Sequence, residues 1–259
     1  MAEVVENSPD LWKNLLPRPK PDGHKYDRGH TAILGSDQFT GATRLAAEAC
    51  SRIGSGLVSV LSEHQAQLYR TVLPPDVMVT EGPLIQLKRL TTLLAGPGGC
   101  SDAQALAVLQ SKADLSLVLD ADAIRLWPEL NGRSAILTPH EGEFARYFPM
   151  IEGAAADRAR AAAKQSGMVL TLKGAETLIA APDGRCAVNK VASPYLAKAG
   201  TGDVLAGLLA GMRAQGMPAF EAACAGVWIH GAASERIGPG LLPQDLSNEI
   251  APLLRDRLS

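Results

Sequence analysis

The chain has 259 residues, 46% of them hydrophobic and 20% charged, with a formal net charge of −2. That balance supports a substantial buried core and argues against global disorder, while the small net charge gives no electrostatic footprint for nucleic acid. No run of about eighteen apolar residues occurs, so no membrane-spanning helix and no membrane partner are expected.

Residues 1–24 contain Pro9, Pro17, Pro19 and Pro21 among mixed charges and read as an irregular lead-in to one domain over 25–259. Glu3 and Glu6 with no apolar stretch behind them do not form a secretory leader, so the expected compartment is the cytoplasm. Short β-branched or apolar runs then predict strands at 31–34, 57–61, 77–80, 92–95, 115–119, 135–137 and 168–172. Several are apolar without interruption, as parallel strands buried on both faces require. Between them, helical spacing predicts helices at 41–53, 102–110, 142–148 and 154–165. Segments 177–181 and 186–189 flank Pro182-Asp183-Gly184 and predict a β-hairpin. Helices follow at 202–215, 219–237 and 245–258, the last disturbed at Pro252. The alternation predicts an α/β fold with three α/β/α layers, a mainly parallel sheet and an antiparallel hairpin at one edge. Cys50, Cys100, Cys186 and Cys224 are widely spaced and form no C-x-x-C pair. They read as buried apolar side chains in a reducing compartment, and no metal site is assigned.

The segment with the strongest chemical signal is Ala199-Gly200-Thr201-Gly202-Asp203, immediately before an apolar helix. A glycine-rich turn that opens a helix presents unpaired N–H groups and the positive end of the helix dipole, which phosphate oxygens require. Asp203 in the first turn could then meet a substrate hydroxyl beside that phosphate. The plainer alternative makes Thr201 or Asp203 a helix cap, but it leaves Gly202, a poor helix residue, unexplained. Lys173-Gly174-Ala175-Glu176-Thr177 follows a strand and could meet phosphate or ribose, or be an ordinary surface loop. His140 in Thr138-Pro139-His140-Glu141-Gly142-Glu143 falls at a strand's carboxyl end, with Glu143 placed to cap or begin the next helix. Gly96-Pro97-Gly98-Gly99 and Thr40-Gly41-Ala42 are further loops of this kind. Asp120 and Asp122 could bind a divalent ion or, more plainly, cap a helix. In a parallel sheet all these segments converge on one edge.

Taken together, these segments resemble the ADP-dependent NAD(P)H-hydrate dehydratases of the ribokinase-like superfamily. The resemblance runs from about Lys25 to Leu246 and rests on Thr40-Gly41-Ala42, Gly96-Pro97-Gly98, Asp120-Ala121-Asp122-Ala123, 137–144, 173–177 and Gly200-Thr201-Gly202-Asp203 with the Val204-Leu205-Ala206-Gly207 that follows. It implies that Ala42, Gly98, His140 and Asp203 contact the hydrated nicotinamide nucleotide. Lys173, Gly174, Ala175, Glu176 and Thr177, with Gly200, Thr201 and Gly202, would hold the adenine nucleotide, and Asp203 would be the catalytic acid–base residue. The implied reaction dehydrates (6S)-NADHX or NADPHX to NADH or NADPH while ADP, as co-substrate with Mg2+, becomes AMP and phosphate. Ala199 stands where the family usually has a glycine, and Gly98-Gly99-Cys100 replaces the commoner Gly-Leu-Gly.

The resemblance further implies a homo-oligomer, a tetramer, and a separate epimerase in the same pathway, because only about two dozen residues precede it. Two rivals remain at this point. A ribokinase-like kinase would keep Asp203 as base but transfer phosphate from ATP to a small alcohol or vitamin precursor. A nucleotide-binding sensor would bind without turnover.

Overall fold

The computed structural model describes residues 3–258. Its strands are β1 (Val5–Glu6), β2 (His30–Leu34), β3 (Leu57–Leu61), β4 (Val77–Thr80), β5 (Thr92–Ala95), β6 (Ser116–Leu119), β7 (Ala135–Leu137), β8 (Val169–Leu172), β9 (Thr177–Ala180) and β10 (Cys186–Asn189). They form one sheet in the order β1-β10-β9-β8-β7-β6-β5-β2-β3-β4. Only β9 runs against the rest, being antiparallel to both β8 and β10. The hairpin is therefore where the loop chemistry puts it, but β1 lies beyond it, parallel to β10.

Helices α1 (Thr40–Arg52), α2 (Ala66–Val72), α3 (Asp102–Leu109), α4 (Glu141–Tyr147), α5 (Ala155–Ser166), α6 (Thr201–Ala214), α7 (Ala219–Ile237) and α8 (Pro243–Leu258) cover the two faces. Strand residues alternate between them: Ile33, Leu94, Val118 and Ile136 pack with α1, α6, α7 and α8. Leu34, Leu93, Leu117 and Leu137 pack with α3, α4 and α5. Two-sided burial accounts for the uninterrupted apolar runs.

Four local features depart from the expectation. The α2 helix and a ten-residue 3-10 stretch, Ala121–Leu130, fall where no helix is expected. The lead-in carries β1 and two 3-10 turns, and its Trp12 is fully buried. Pro252 does not break α8, which runs through it. Leu246, Ile250 and Leu253 anchor that helix in the core, and this packing offsets the one missing hydrogen bond. No described helix is long and apolar enough to cross a membrane, and all four cysteines are free thiols.

The α6 helix is apolar on all sides because the sheet, α1, α7 and α8 surround it. Gly207 sets its distance from α1: a Cβ there would lie 2.2 Å from the Ala46 carbonyl oxygen. Gly207→Ala is expected to lose about 1–3 kcal/mol of stability, despite alanine's higher helix propensity, because backbone must move. Thermal denaturation measures it; an unchanged midpoint would show that the two helices can separate freely.

Candidate active site

Chain order runs outward from β2 to β4, then crosses to β5 on the other side of β2. At such a reversal the loops after the two central strands diverge and open a crevice at their carboxyl ends. Here the loops after β2 and β5 are laced together. Ser36 donates its hydroxyl to the Gly98 carbonyl at 2.8 Å and accepts from the Phe39 amide at 3.0 Å. The Thr43 hydroxyl accepts from the Ser36 amide, and Tyr69 donates to the Ser36 carbonyl. Gly98, with φ +81°, leaves no room for a side chain: its Cβ would meet the Phe39 carbonyl at 2.8 Å. A cavity of about 570 Å³ opens here, lined by Ser36, Phe39, Gly98, Gly99, Gln104 and Asp122.

A second cavity, about 600 Å³, lies over the ends of β8 and β10, the start of α6 and the middle of α7. Lys173, Gly174, Ala175, Thr177, Thr201 and Gly202 line it, joined by the apolar Val191, Leu196, Leu205 and Val227. The α6 N-terminus is built as a donor turn. Gly200 is left-handed at φ +97°, where a side chain would also strike Leu45. Thr201 uses its own amide on the Lys198 carbonyl and its hydroxyl on the Leu196 and Lys198 carbonyls. Among the described residues the amides of Gly202 and Asp203 have no backbone acceptor, so two donors point out of the helix end. No side chain caps this helix, which removes the capping alternative for Thr201 and Asp203.

Beside Lys173, which lines the second cavity, lies a charge cluster whose other members, Asp120, Glu143 and Asp203, line neither cavity. Asp120, 4% exposed, receives Lys173 Nζ at 3.0 Å and the Thr138 hydroxyl at 2.5 Å. Lys173 Nζ is also 3.9 Å from Glu143 Oε2. Asp120 makes no cap bond; in these contacts it is the counter-ion of Lys173. Burial pulls the Lys173 pKa down, but the charges of Asp120, Glu143 and Asp203 outweigh it and hold the ammonium above its ordinary value. Asp203 is pushed up to about 7 by burial first and by the Asp120 charge second, against the opposing pull of Lys173. A carboxylate that changes charge near neutrality in a cleft is suited to proton transfer.

The remaining candidates fall into place unevenly. His140 caps α4: its Nδ1 accepts from the Gly142 and Glu143 amides, and Glu143 returns a bond to the His140 amide. Its ring is exposed, and its backbone bridges to Lys173. Ala42 sits half-buried in the first turn of α1, beside Thr43, and lines neither cavity; Glu176 is exposed and also stands outside the lining. Lining residues beyond the expected ones include two polar groups of the second cavity. Asn189 is buried at the end of β10, and His230 of α7 bonds the Thr201 carbonyl through Nε2 at 2.9 Å. Burial, with a smaller push from Lys173, lowers the His230 pKa to about 4. A polar His within the Ala- and Gly-rich α7 was the one available signal.

The model of the NAD(P)H-hydrate dehydratase family matches residues 31–252. The chain belongs to that family. It is 34% identical to an ADP-dependent (S)-NAD(P)H-hydrate dehydratase of Xanthomonas campestris, over 93% of each chain. It is also 34% identical to a bifunctional NAD(P)H-hydrate repair enzyme of Thermosynechococcus vestitus over 96% of this chain but only 54% of that one. The chain thus spans about half the length of the bifunctional relatives. The fold matches the ADP/ATP-dependent NAD(P)H-hydrate dehydratase of Bacillus subtilis, co-crystallized with ATP and Mg2+. That TM-score is 0.84, with 28% identity over 99% of this chain and all of the other. The ribokinase-like three-layer architecture is accordingly that of the family.

Proposed function

We propose that this dehydratase-family chain restores NADH or NADPH from (6S)-NADHX or NADPHX, consuming ADP and releasing AMP and phosphate. One observation supports the mechanism: Asp203, poised near neutral pH, feels the charge of Lys173 and stands in the first turn of α6, where the Gly202 and Asp203 amides are free donors. The apolar walls formed by Val191, Leu196 and Val227 suit the faces of a purine, and the α6 donors suit its phosphates. The cavity at Gly98 then takes the hydrated nicotinamide, whose further contacts are with Ala42 and His140 outside its lining.

Hydroxide is a poor leaving group and phosphate a better one. Asp203 accepts the proton of the C6 hydroxyl as that oxygen attacks the β-phosphorus and the bond to AMP breaks. The amides of Gly202 and Asp203, with Lys173, stabilise charge on the transferred group. The ring nitrogen's lone pair expels phosphate from C6, and loss of a C5 proton restores the dihydropyridine. Asp120 and Glu143 keep Lys173 charged and in place.

Among the described residues no group of three His, Cys, Asp or Glu side chains is placed to hold a metal. This donor set fits Mg2+ carried on the nucleotide's phosphates and water rather than caged by protein, and no step above runs through it. A cytoplasmic homo-oligomer, a tetramer, working beside a separate epimerase completes the proposal.

The test is incubation with NADHX and ADP. Dihydropyridine absorbance should return with one AMP formed per NADH. Accumulation of a phosphorylated product, with ADP formed from ATP, would instead identify a kinase, and ADP binding without turnover on any hydrate a sensor.

A further inference from the structure

The N-terminal segment is unused by the mechanism, yet one of its side chains is among the most buried polar groups in the protein. Asn7 is 1% exposed and Asn189 is 2% exposed. Strand β1 places Glu6 opposite Val188, and the Asn7 amide continues the ladder to the Val188 carbonyl at 2.8 Å. The Asn7 side-chain Nδ2 then spends both hydrogens, on Asn189 Oδ1 at 2.9 Å and on the Cys224 carbonyl of α7 at 2.8 Å. Its own Oδ1 has no partner, an unfavourable feature for a buried acceptor. The amide is therefore held for what its nitrogen does.

What it does is fix the rotation of Asn189. With Oδ1 taken by Asn7, Asn189 must turn its Nδ2 to the Val191 carbonyl, which it reaches at 2.7 Å. That carbonyl lies against α7 at Gly231, where a Cβ would come within 1.7 Å of it. Asn189, Val191, Ala192, Ser193 and Pro194 form one wall of the 600 Å³ cavity. Farther along the segment, buried Trp12 packs on Trp228 of α7, ring centroids 5.7 Å apart, two residues before His230. The lead-in thus touches both walls of the cavity without lining it.

We propose that residues 5–12 are a strap that sets the shape of the adenine-nucleotide cavity, with Asn7 acting through Asn189 as a positioning residue for nucleotide affinity. The ligand in this statement rests on the ADP reading above; the strap itself does not. Removing the Asn7 donor frees the Asn189 amide to rotate, and the wall from Val191 to Pro194 loses its tether at Val191, keeping only that of the Ser193 amide to the Ser234 hydroxyl. The transferring groups at Asp203 and Lys173 are untouched. The effect therefore falls on KM rather than kcat.

The experiment compares the wild-type chain with Asn7→Ala, Asn189→Asp and the double variant. Asn189→Asp keeps the acceptor for Asn7 but replaces the nitrogen that holds Val191, so it remains informative where Asn7→Ala fails to fold. Amide hydrogen exchange without nucleotide should accelerate at 191–197 in each variant, with the β2–β5 core unchanged. The KM for ADP in Asn7→Ala should rise about five- to tenfold with kcat within about twofold, as expected for a lost hydrogen bond that acts on binding alone. The double variant should cost no more than the worse single one, because the two act in series. Unchanged exchange at 191–197, a fall in kcat at constant KM, or additive losses would each overturn the strap. Absence of ADP binding by the wild-type chain would defeat the nucleotide reading alone, since the exchange measurement still decides the strap.

Discussion

Asp203→Asn is expected to bind ADP normally and to turn over NADHX about 10²–10⁴-fold more slowly, the usual contribution of a positioned proton acceptor. Asparagine matches aspartate in shape, so the donor turn and both cavities should survive. In the wild-type chain kcat/KM should rise with pH through a limb near 7, because Asp203 must be ionised to accept the hydroxyl proton. The residual activity of the variant should lack that limb. A stability measurement gives an independent reading. The folded-state pKa is raised from 3.8 to about 7, so the favourable contribution of the neutral carboxyl is complete below the unfolded value and is lost as pH rises through 7. Asp203→Asn removes that loss. It should therefore be more stable than wild type at pH 8–9, on the order of 2 kcal/mol once partial solvent screening is allowed for. Near-normal turnover would remove Asp203 from the chemistry. A stability gain without a turnover loss would leave it only a strained buried acid.

Lys173→Met should be the most damaging single change outside Asp203, for two separable reasons. It leaves Asp120 buried without its cation, at a cost of about 3–5 kcal/mol. It also removes the charge that restrains the Asp203 pKa, so the activity limb should move to higher pH as turnover falls. The stability loss should be largely recovered in Asp120→Asn with Lys173→Met, because no uncompensated charge remains. The alkaline displacement tells a different story there: Asp120 also raises Asp203, so the double variant should bring the limb back toward its starting position. If the single variant shifts neither the limb nor the melting temperature, Lys173 is an ordinary surface lysine. Arginine should not substitute cleanly, since its planar fork cannot occupy the place of a compact ammonium among Asp120, Glu143 and Asp203.

Strand positions were legible because two-sided burial leaves continuous apolar runs, and loop chemistry identified the hairpin at Pro182-Asp183-Gly184. The α2 helix was missed because its seven residues mix polar and apolar types and gain their helicity from buried Tyr69. Ala121–Leu130 was missed because Pro128 argues against any helix, while its Ile124, Leu126 and Leu130 are held in the core below α4. At the site, Gly200-Thr201-Gly202-Asp203 was visible as a donor turn because glycine, dipole and acidic residue are neighbours in the chain. The counter-ion role of Asp120 was not, because Lys173 lies 53 residues away.

The layered α/β architecture, the converging loops and the donor turn ahead of Asp203 were thus all present in the chain's local pattern. Those properties are written in local periodicity and turn chemistry. Tertiary structure alone decided what Asp203 can do. Its shift to near 7 comes from burial and from the Asp120 carboxylate at the end of β6, brought near when α6 packs across β5 and β6. The same holds for Asn7, which reads as part of a loose lead-in and becomes a buried donor only when β1 pairs with β10. Desolvation and long-range charge depend on distances that a linear pattern does not contain.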